Sequence, residues 1–257
     1  MPNKVFGVLV FLFGILVGSF LNVCIYRIPK GENITTTRSH CMNCGDVIRW
    51  YDLVPIFSFL LLRGKCRNCG AKISIQYPAI EILNGLSYGL IFAMLGLNLQ
   101  SVLTMALTSA LIVITVIDWR TYEIPFGLNV FIAVLGVVIV GGKLINRDFT
   151  DAWDNIIGAF CVGGFLLLIY LATKGRGIGG GDIKLMAAAG FFLGWKNIIL
   201  AFVIGCILGS VIHLIRMRFS KQDHVLAFGP YLSAGIFISS LWGDRIISAY
   251  LNAVLLN

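Results

Sequence analysis

Charged side chains are scarce in this sequence. Asp, Glu, Lys and Arg make up 12% of its 257 residues, about half of the roughly 25% found in soluble domains. With 58% hydrophobic residues, no soluble core of this size would hide the apolar sequence, so an integral membrane protein is expected. The net charge of +8 would suggest nucleic acid in a soluble chain. Here the basic residues belong to membrane topology, and no nucleic-acid partner is expected. The first residues lack the basic n-region and small-residue cleavage site of a secretory signal, so 5–26 read as a retained first helix. The phosphate-loop pattern G-x-x-x-x-G-K-[ST] is also missing, as is a strand–turn–helix context around the glycines.

What is present is a series of apolar runs. After 5–26 they fall at 80–97, 100–117, 125–140, 156–173, 183–195, 198–215 and 226–242, with a last apolar tail to Asn257. The expected fold is all-α and polytopic, with seven or eight transmembrane helices in a lipid bilayer. Run 183–195 is too short to cross unaided. Residues 1–26 form the first span, 27–79 a small polar domain, and 80–257 the remaining membrane domain. With 27–79 placed in the cytoplasm, fifteen of the twenty Lys and Arg fall on that side, Lys221 among them, and five on the other. The positive-inside rule supports that orientation.

Seven cysteines are present, four of them as Cys41-x2-Cys44 and Cys66-x2-Cys69 with 21 residues between the pairs. This spacing resembles a zinc ribbon, with an iron–sulfur cluster or a redox pair as the alternatives. Each pair is followed by a glycine, Gly45 or Gly70, which lets the backbone turn its amides toward the thiolates. Four thiolates around Zn²⁺ leave no open position, so the site would be structural, stabilising a domain too small to fold on its own core. Cys24, Cys161 and Cys206 lie in apolar runs and read as packing residues.

Two aspartates stand at the ends of apolar runs. Asp118 closes SVLTMALTSALIVITVID, and Asp182 follows the glycines of KGRGIGGGDIK at 174–184. Ionisable groups at membrane depth are costly and read as functional. Gly179, Gly180 and Gly181 remove side chains beside Asp182, so that an extended peptide backbone can approach. Two carboxylates within reach share a proton: one activates water, while the other polarises the peptide carbonyl and protonates the leaving amine. The pair reads as an intramembrane aspartic protease. Lys184 stabilises nearby negative charge or marks the cytoplasmic interface.

These residues resemble the type IV prepilin peptidases, bifunctional leader peptidase/N-methyltransferases. The motifs are GSFLNVCIYRIP, the tetracysteine set, IRWYDLVPIFSFLLLRGKCRNCG, YPAIEILNG, Asp118 followed by Ile124-Pro125, Gly179-Gly180-Gly181-Asp182 with Lys184, and Phe228-Gly229-Pro230. One departure is Arg176, where family members often carry an acidic residue. The resemblance implies a bacterial inner-membrane enzyme with its active site and zinc domain facing the cytoplasm. It would cut the basic leader of type IV prepilins or pseudopilins after Gly, typically before Phe, and methylate the new N-terminus with S-adenosylmethionine. Gly18, Asn22, Arg27 and Glu81 are carried over as methyl-transfer candidates. On bland grounds, Asn22 would make a helix–helix hydrogen bond and Glu81 an interfacial ion pair. Alternatives are a peptidase-only member, or a non-enzymatic secretion scaffold or transporter with a structural zinc lid.

Overall fold

The computed structural model describes residues 2–219 and 226–255, so Lys221 lies outside the described residues. The apolar runs form helices: α1 Pro2–Arg27, α3 Gln76–Leu95, α4 Leu99–Thr121, α5 Phe126–Ile145, α6 Phe149–Ala172, α7 Gly180–Leu193, α8 Trp195–Phe219 and α9 Gly229–Leu255. A short helix, α2 (Phe57–Leu61), lies in the polar segment. Among the described residues six helices (α1, α3, α4, α5, α6 and α8) are long and apolar enough to cross a membrane, and there is no strand beyond two single bridges. This is a multi-pass membrane protein.

Two boundaries differ from the hydropathy reading. The last apolar run from Gly229 and the tail as far as Leu255 are one helix of 27 residues, because nothing at Gly243-Asp244-Arg245 breaks the backbone ladder; 256–257 lie outside the described residues. Asp244 and Arg245 are exposed, and Asn197 Nδ2 donates to Asp244 Oδ1 at 3.0 Å, so the charges sit on the helix surface without interrupting it. Helix α7 has 14 residues, about 21 Å at 1.5 Å each, short of the roughly 30 Å hydrocarbon core. Its ends are both satisfied by side chains. At the C-terminus, Asn155 of α6 donates through Nδ2 to the carbonyls of Phe191 and Phe192, each at 3.0 Å, and accepts from Lys143 Nζ at 2.8 Å. Orphan helix carbonyls left unpaired in lipid would cost several kcal/mol.

The chain divides into two compact units, Met1–Val113 and Ile114–Asn257. In the first, α1 and α3 meet along a seam of small residues. A Cβ on Gly14 would stand 2.9 Å from Gly85 Cα, and one on Gly18 would stand 2.7 Å from Glu81 Cα. Gly14 and Gly18 form the small-xxx-small pattern that lets membrane helices approach. Asn84 Nδ2 locks the seam by donating to Gly14 O at 2.7 Å. In the second unit, α7 is enclosed by α5, α6, α8 and α9. Gly158 of α6 and Gly190 of α7 sit backbone to backbone, and Gly163 faces Ala187.

A side chain at Gly190 would collide with Gly158 O. Gly190→Leu is expected to destabilise the protein by about 2–3 kcal/mol, read as a lower midpoint in detergent-induced unfolding. Gly164→Ala, where a Cβ meets nothing within 4 Å, should leave the midpoint in place.

Candidate active site and metal centre

Asp118 lies in the last turn of α4. The helix stops after Thr121 because Tyr122 takes a left-handed conformation (φ +57°) and its N–H returns to Asp118 O at 2.9 Å. The Asp118 side chain is buried, 5% exposed, and its Oδ2 accepts the Gly229 N–H at 2.9 Å. Gly229 is the first residue of α9, so this N–H is one of those a helix start leaves without an intrahelical partner. Asp182 is in the first turn of α7, three residues after the N-cap Gly179. Its half-buried carboxylate takes the Gly179 N–H, a capping-box arrangement. A helix start therefore meets each carboxylate, and the two are near enough for direct charge–charge interaction.

Ile124 wedges between the two arms. A Cβ on Gly181 would stand 3.0 Å from Ile124 Cβ, and one on Gly229 would stand 3.2 Å from Ile124 Cδ1 and 2.7 Å from Asp118 Oδ2. A Cβ on Gly179 would approach Asp182 Oδ2 to 3.0 Å, whereas Gly180 faces open space. The glycines thus differ: 179, 181 and 229 are needed for closeness. Lys184 holds its ammonium 5.2 Å from the centre of the Phe126 ring. Gly229 is the residue missing from the sequence-derived site. Its signal was the Gly-Pro step opening the last apolar run, which leaves a free amide at a helix start.

The four cysteines come together. Their sulfurs lie within 4.8 Å of one another, with Cys41 Sγ and Cys69 Sγ at 3.8 Å. Tetrahedral Zn–S bonds of about 2.3 Å require sulfurs about 3.8 Å apart, so the cluster fits zinc. Each pair sits in a matched turn: Cys41 N–H to Asp46 O and Gly45 N–H to Cys41 O, then Cys66 N–H to Ala71 O and Gly70 N–H to Cys66 O. Gly45 and Gly70 take φ of +75° and +71°, as the spacing predicts. Backbone N–H groups of Cys44 and Asn43 pull the Cys41 thiol down to about 6. The Ala71 N–H and the Asn43 side chain lower Cys69. Cys44 is held up at about 12: its Asp46 N–H favours the thiolate, but burial and hydrogen bonds to Cys41 and Cys69 outweigh that.

The methyl-transfer candidates lie in the first unit. Asn22 bonds across the helix seam to Tyr77 O at 3.1 Å and back to Gly18 O at 3.3 Å. Arg27 is 5% exposed and donates to three carbonyls, those of Asn33, Thr37 and Arg38. Glu81 makes a backbone contact where an ion pair was expected: Oε2 accepts the Ile56 N–H at 2.8 Å. Asn22, Arg27 and Glu81 line one cavity of about 450 Å³, and Gly18 lies behind it against Glu81 Cα.

Residues 105–214, which hold both aspartates, match the model of the Type IV leader peptidase family, and 12–95 match the Bacterial Peptidase A24 N-terminal domain. The chain belongs to the type IV leader peptidase family. Among family members named prepilin leader peptidase/N-methyltransferase, one from Bacillus subtilis (strain 168) is 34% identical over 96% of this chain and 98% of its own. One from Stutzerimonas stutzeri is 32% identical over 93% of this chain and 92% of its own. The Pseudomonas aeruginosa protein is 31% identical over 93% and 91%. No solved structure matches the chain. In this leader peptidase, the two family segments keep the aspartates apart in sequence from the cysteines and from the methyl-transfer candidates, while Gly229 lies beyond both segments.

Zinc must displace whatever protons the thiols hold. With Cys41 already ionised above about 6, zinc uptake at about pH 7.5 should release fewer than four protons. Calorimetry in buffers of different ionisation enthalpy reads that number directly.

Proposed function

We propose that this chain is a membrane aspartic endopeptidase of two carboxylates, Asp118 and Asp182, that removes the leader from type IV prepilins or pseudopilins and then N-methylates the new N-terminal residue. The observation that carries the reading is the pair itself: two carboxylates close enough to interact, each accepting a backbone N–H at the start of a helix. The names of the relatives support the substrate class and the second activity.

The chemistry follows from the surroundings. Asp118 is buried and Asp182 half-buried beside the exposed Gly179 and Gly180, so a peptide reaches the pair from the glycine side. The two carboxylates hold one proton between them. The ionised one takes a proton from the attacking water. The protonated one polarises the scissile carbonyl and then protonates the leaving amine. The pair titrates as a unit, so neither residue is fixed as acid or base. Gly229 N–H and Gly179 N–H orient the carboxylates through bonds that need no rearrangement during the reaction. The exposed Gly179 and Gly180 leave space for the substrate backbone, Gly181 lets the loop pack on Ile124, and Lys184 marks the cytoplasmic interface.

Charge distribution supports the orientation: residues 27–79 and both aspartates face the cytoplasm of a bacterial inner membrane. In this reading 1–26 is the first span, 27–79 the cytoplasmic zinc domain, and 80–257 the peptidase domain. Zinc on Cys41, Cys44, Cys66 and Cys69 is structural. S-adenosylmethionine supplies the methyl group. Asn22, Arg27 and Glu81, around the 450 Å³ cavity, with Gly18 behind them, are the residues toward it.

Cleavage of a prepilin-like peptide by the detergent-solubilised enzyme tests the pair. Asp118→Asn and Asp182→Asn should each lower kcat by roughly 10²–10⁴ without loss of fold; near-wild-type cleavage by either sinks the mechanism. Gly229→Ala and Gly181→Ala, whose Cβ atoms press on Asp118 and on Ile124, should each lower kcat by roughly ten- to a hundredfold. Gly180→Ala should cost less.

A further inference from the structure

The polar segment between α1 and α3 carries a helix built inside out. In α2 the polar Ser58 is buried, and its Oγ donates to Tyr51 O at 3.0 Å. Phe59 is half-buried and turns onto Gly64, where a Cβ would stand 3.1 Å from its ring. Phe57, Leu60 and Leu61, spaced i, i+3 and i+4 on one helix face, are 64%, 64% and 83% exposed. Ile75, just before α3, is 75% exposed. Exposed apolar side chains on α1 or α3 face lipid tails as parts of membrane spans. These four lie outside the candidate spans, where an apolar face in the open marks an interaction site.

Bonds at both ends hold α2 at the level where the membrane begins. At its start, the Ile56 N–H donates to Glu81 Oε2 at 2.8 Å, and Glu81 lies in the second turn of the span Gln76–Leu95. Ile56 has φ of +62°, an outlier for a β-branched residue. Such strain persists only where the surroundings enforce it, and here the bond to Glu81 does so. Past the end of α2, Gly64 O accepts the Ile73 N–H at 2.7 Å, just before α3. The helix is therefore fixed beside the first turns of a membrane span. Tyr77, in the first of those turns, is of the type that favours the headgroup level.

The charges beside this face point to what covers it. Arg63 and Lys65 follow α2 directly, and Lys65 stands opposite Lys72 across an antiparallel bridge. Like charges placed opposite one another repel unless an anion meets both. Among the described residues none of these three cations makes an ion pair; Arg67 does, with Asp52. Anionic headgroups beside a membrane span supply the missing charge. A second copy seated there by two-fold symmetry would bring the same basic patch against itself. We propose that α2 is a membrane-docking helix: Phe57, Leu60, Leu61 and Ile75 enter the headgroup–acyl boundary of the leaflet where α3 begins, and Arg63, Lys65 and Lys72 meet anionic lipid headgroups. An interfacial helix sinks its apolar face roughly 5–10 Å, a depth that the bond from Ile56 to the second turn of α3 fits. The docking needs only the span at α3 and does not depend on the chemistry of the aspartates.

Photocross-linking of the full-length protein in lipid nanodiscs tests this. The photoreactive p-benzoylphenylalanine is placed instead of Leu61 or Phe57, both exposed, so neither change disturbs a packed side chain. A control places it instead of Asn68, in the second cysteine turn beyond the Lys65–Lys72 bridge. After irradiation, mass spectrometry should find lipid adducts at 61 and 57 and not at 68. Discs containing phosphatidylglycerol should give about fivefold more adduct than discs of phosphatidylcholine alone. Lys65→Glu, combined with the label at 61, should shrink that difference. Cross-links from 61 and 57 to a second copy or to residues 114–257, without lipid adducts, overturn the docking. So does an absence of lipid adducts at both positions, or an equal yield at 68. Equal yields in the two kinds of disc overturn the role of the three cations.

Discussion

A carboxylate at membrane depth needs a donor that will not leave, and here the donors are helix starts. Asp118 takes the first N–H of α9, and Asp182 takes the N–H that caps α7. A helix start has several amides with no intrahelical partner and a partial positive charge, so the acids and the helices satisfy one another. Everything else in the second unit serves to bring those two starts together. The glycine contacts of α6 with α7 and of α8 with α9, at Gly158, Gly190, Gly205 and Gly235, set the helix positions at backbone precision. Lipid offers little hydrophobic drive for helix association, so close packing of small residues has to supply it.

The first unit solves a different problem. Its polar segment buries few large apolar side chains and is held by bonds to fixed points. The Arg27 guanidinium gathers three carbonyls from the loop after α1. Asn43 Nδ2 reaches Cys69 Sγ at 3.6 Å and Asn68 Nδ2 reaches Asp46 Oδ2 at 3.0 Å, so each cysteine turn is tied to the other by side chains. Arg67 completes the frame with a 2.6 Å ion pair to Asp52. Arg27 and Glu81 are consumed largely by backbone groups, which makes them supports of the cavity wall as much as parts of it.

Much of this was legible in the sequence, and the reasons are local. The cysteine spacing with its trailing glycines specifies two turns of known geometry, and both formed. The short run before Trp195 announced a short helix. Asp118 and Asp182 stood out because each ends or begins an apolar run. What was not legible depends on contacts distant in sequence. Gly229 lies 111 residues from Asp118, and no local pattern says which free amide a carboxylate will find. Glu81 reads as half of an interfacial ion pair because it stands at the start of an apolar run. Its actual partner is a backbone N–H presented by Ile56 in an uncommon conformation, and a sequence does not display backbone conformation. The last helix was split by hydropathy at Asp244-Arg245, since hydropathy counts charge and does not see the Asn197 side chain that receives it.

The brevity of α7 has a consequence for how water reaches the aspartates. A helix of about 21 Å falls short of the hydrocarbon core by roughly 9 Å. Its closed ends, capped by Asp182 and Asn155, prevent it from unwinding to make up the difference. Because α5, α6, α8 and α9 enclose it, the shortfall lies inside the protein and not in lipid. The helix starts at the exposed Gly179 and Gly180, so the turn it lacks is space through which water can reach the carboxylates.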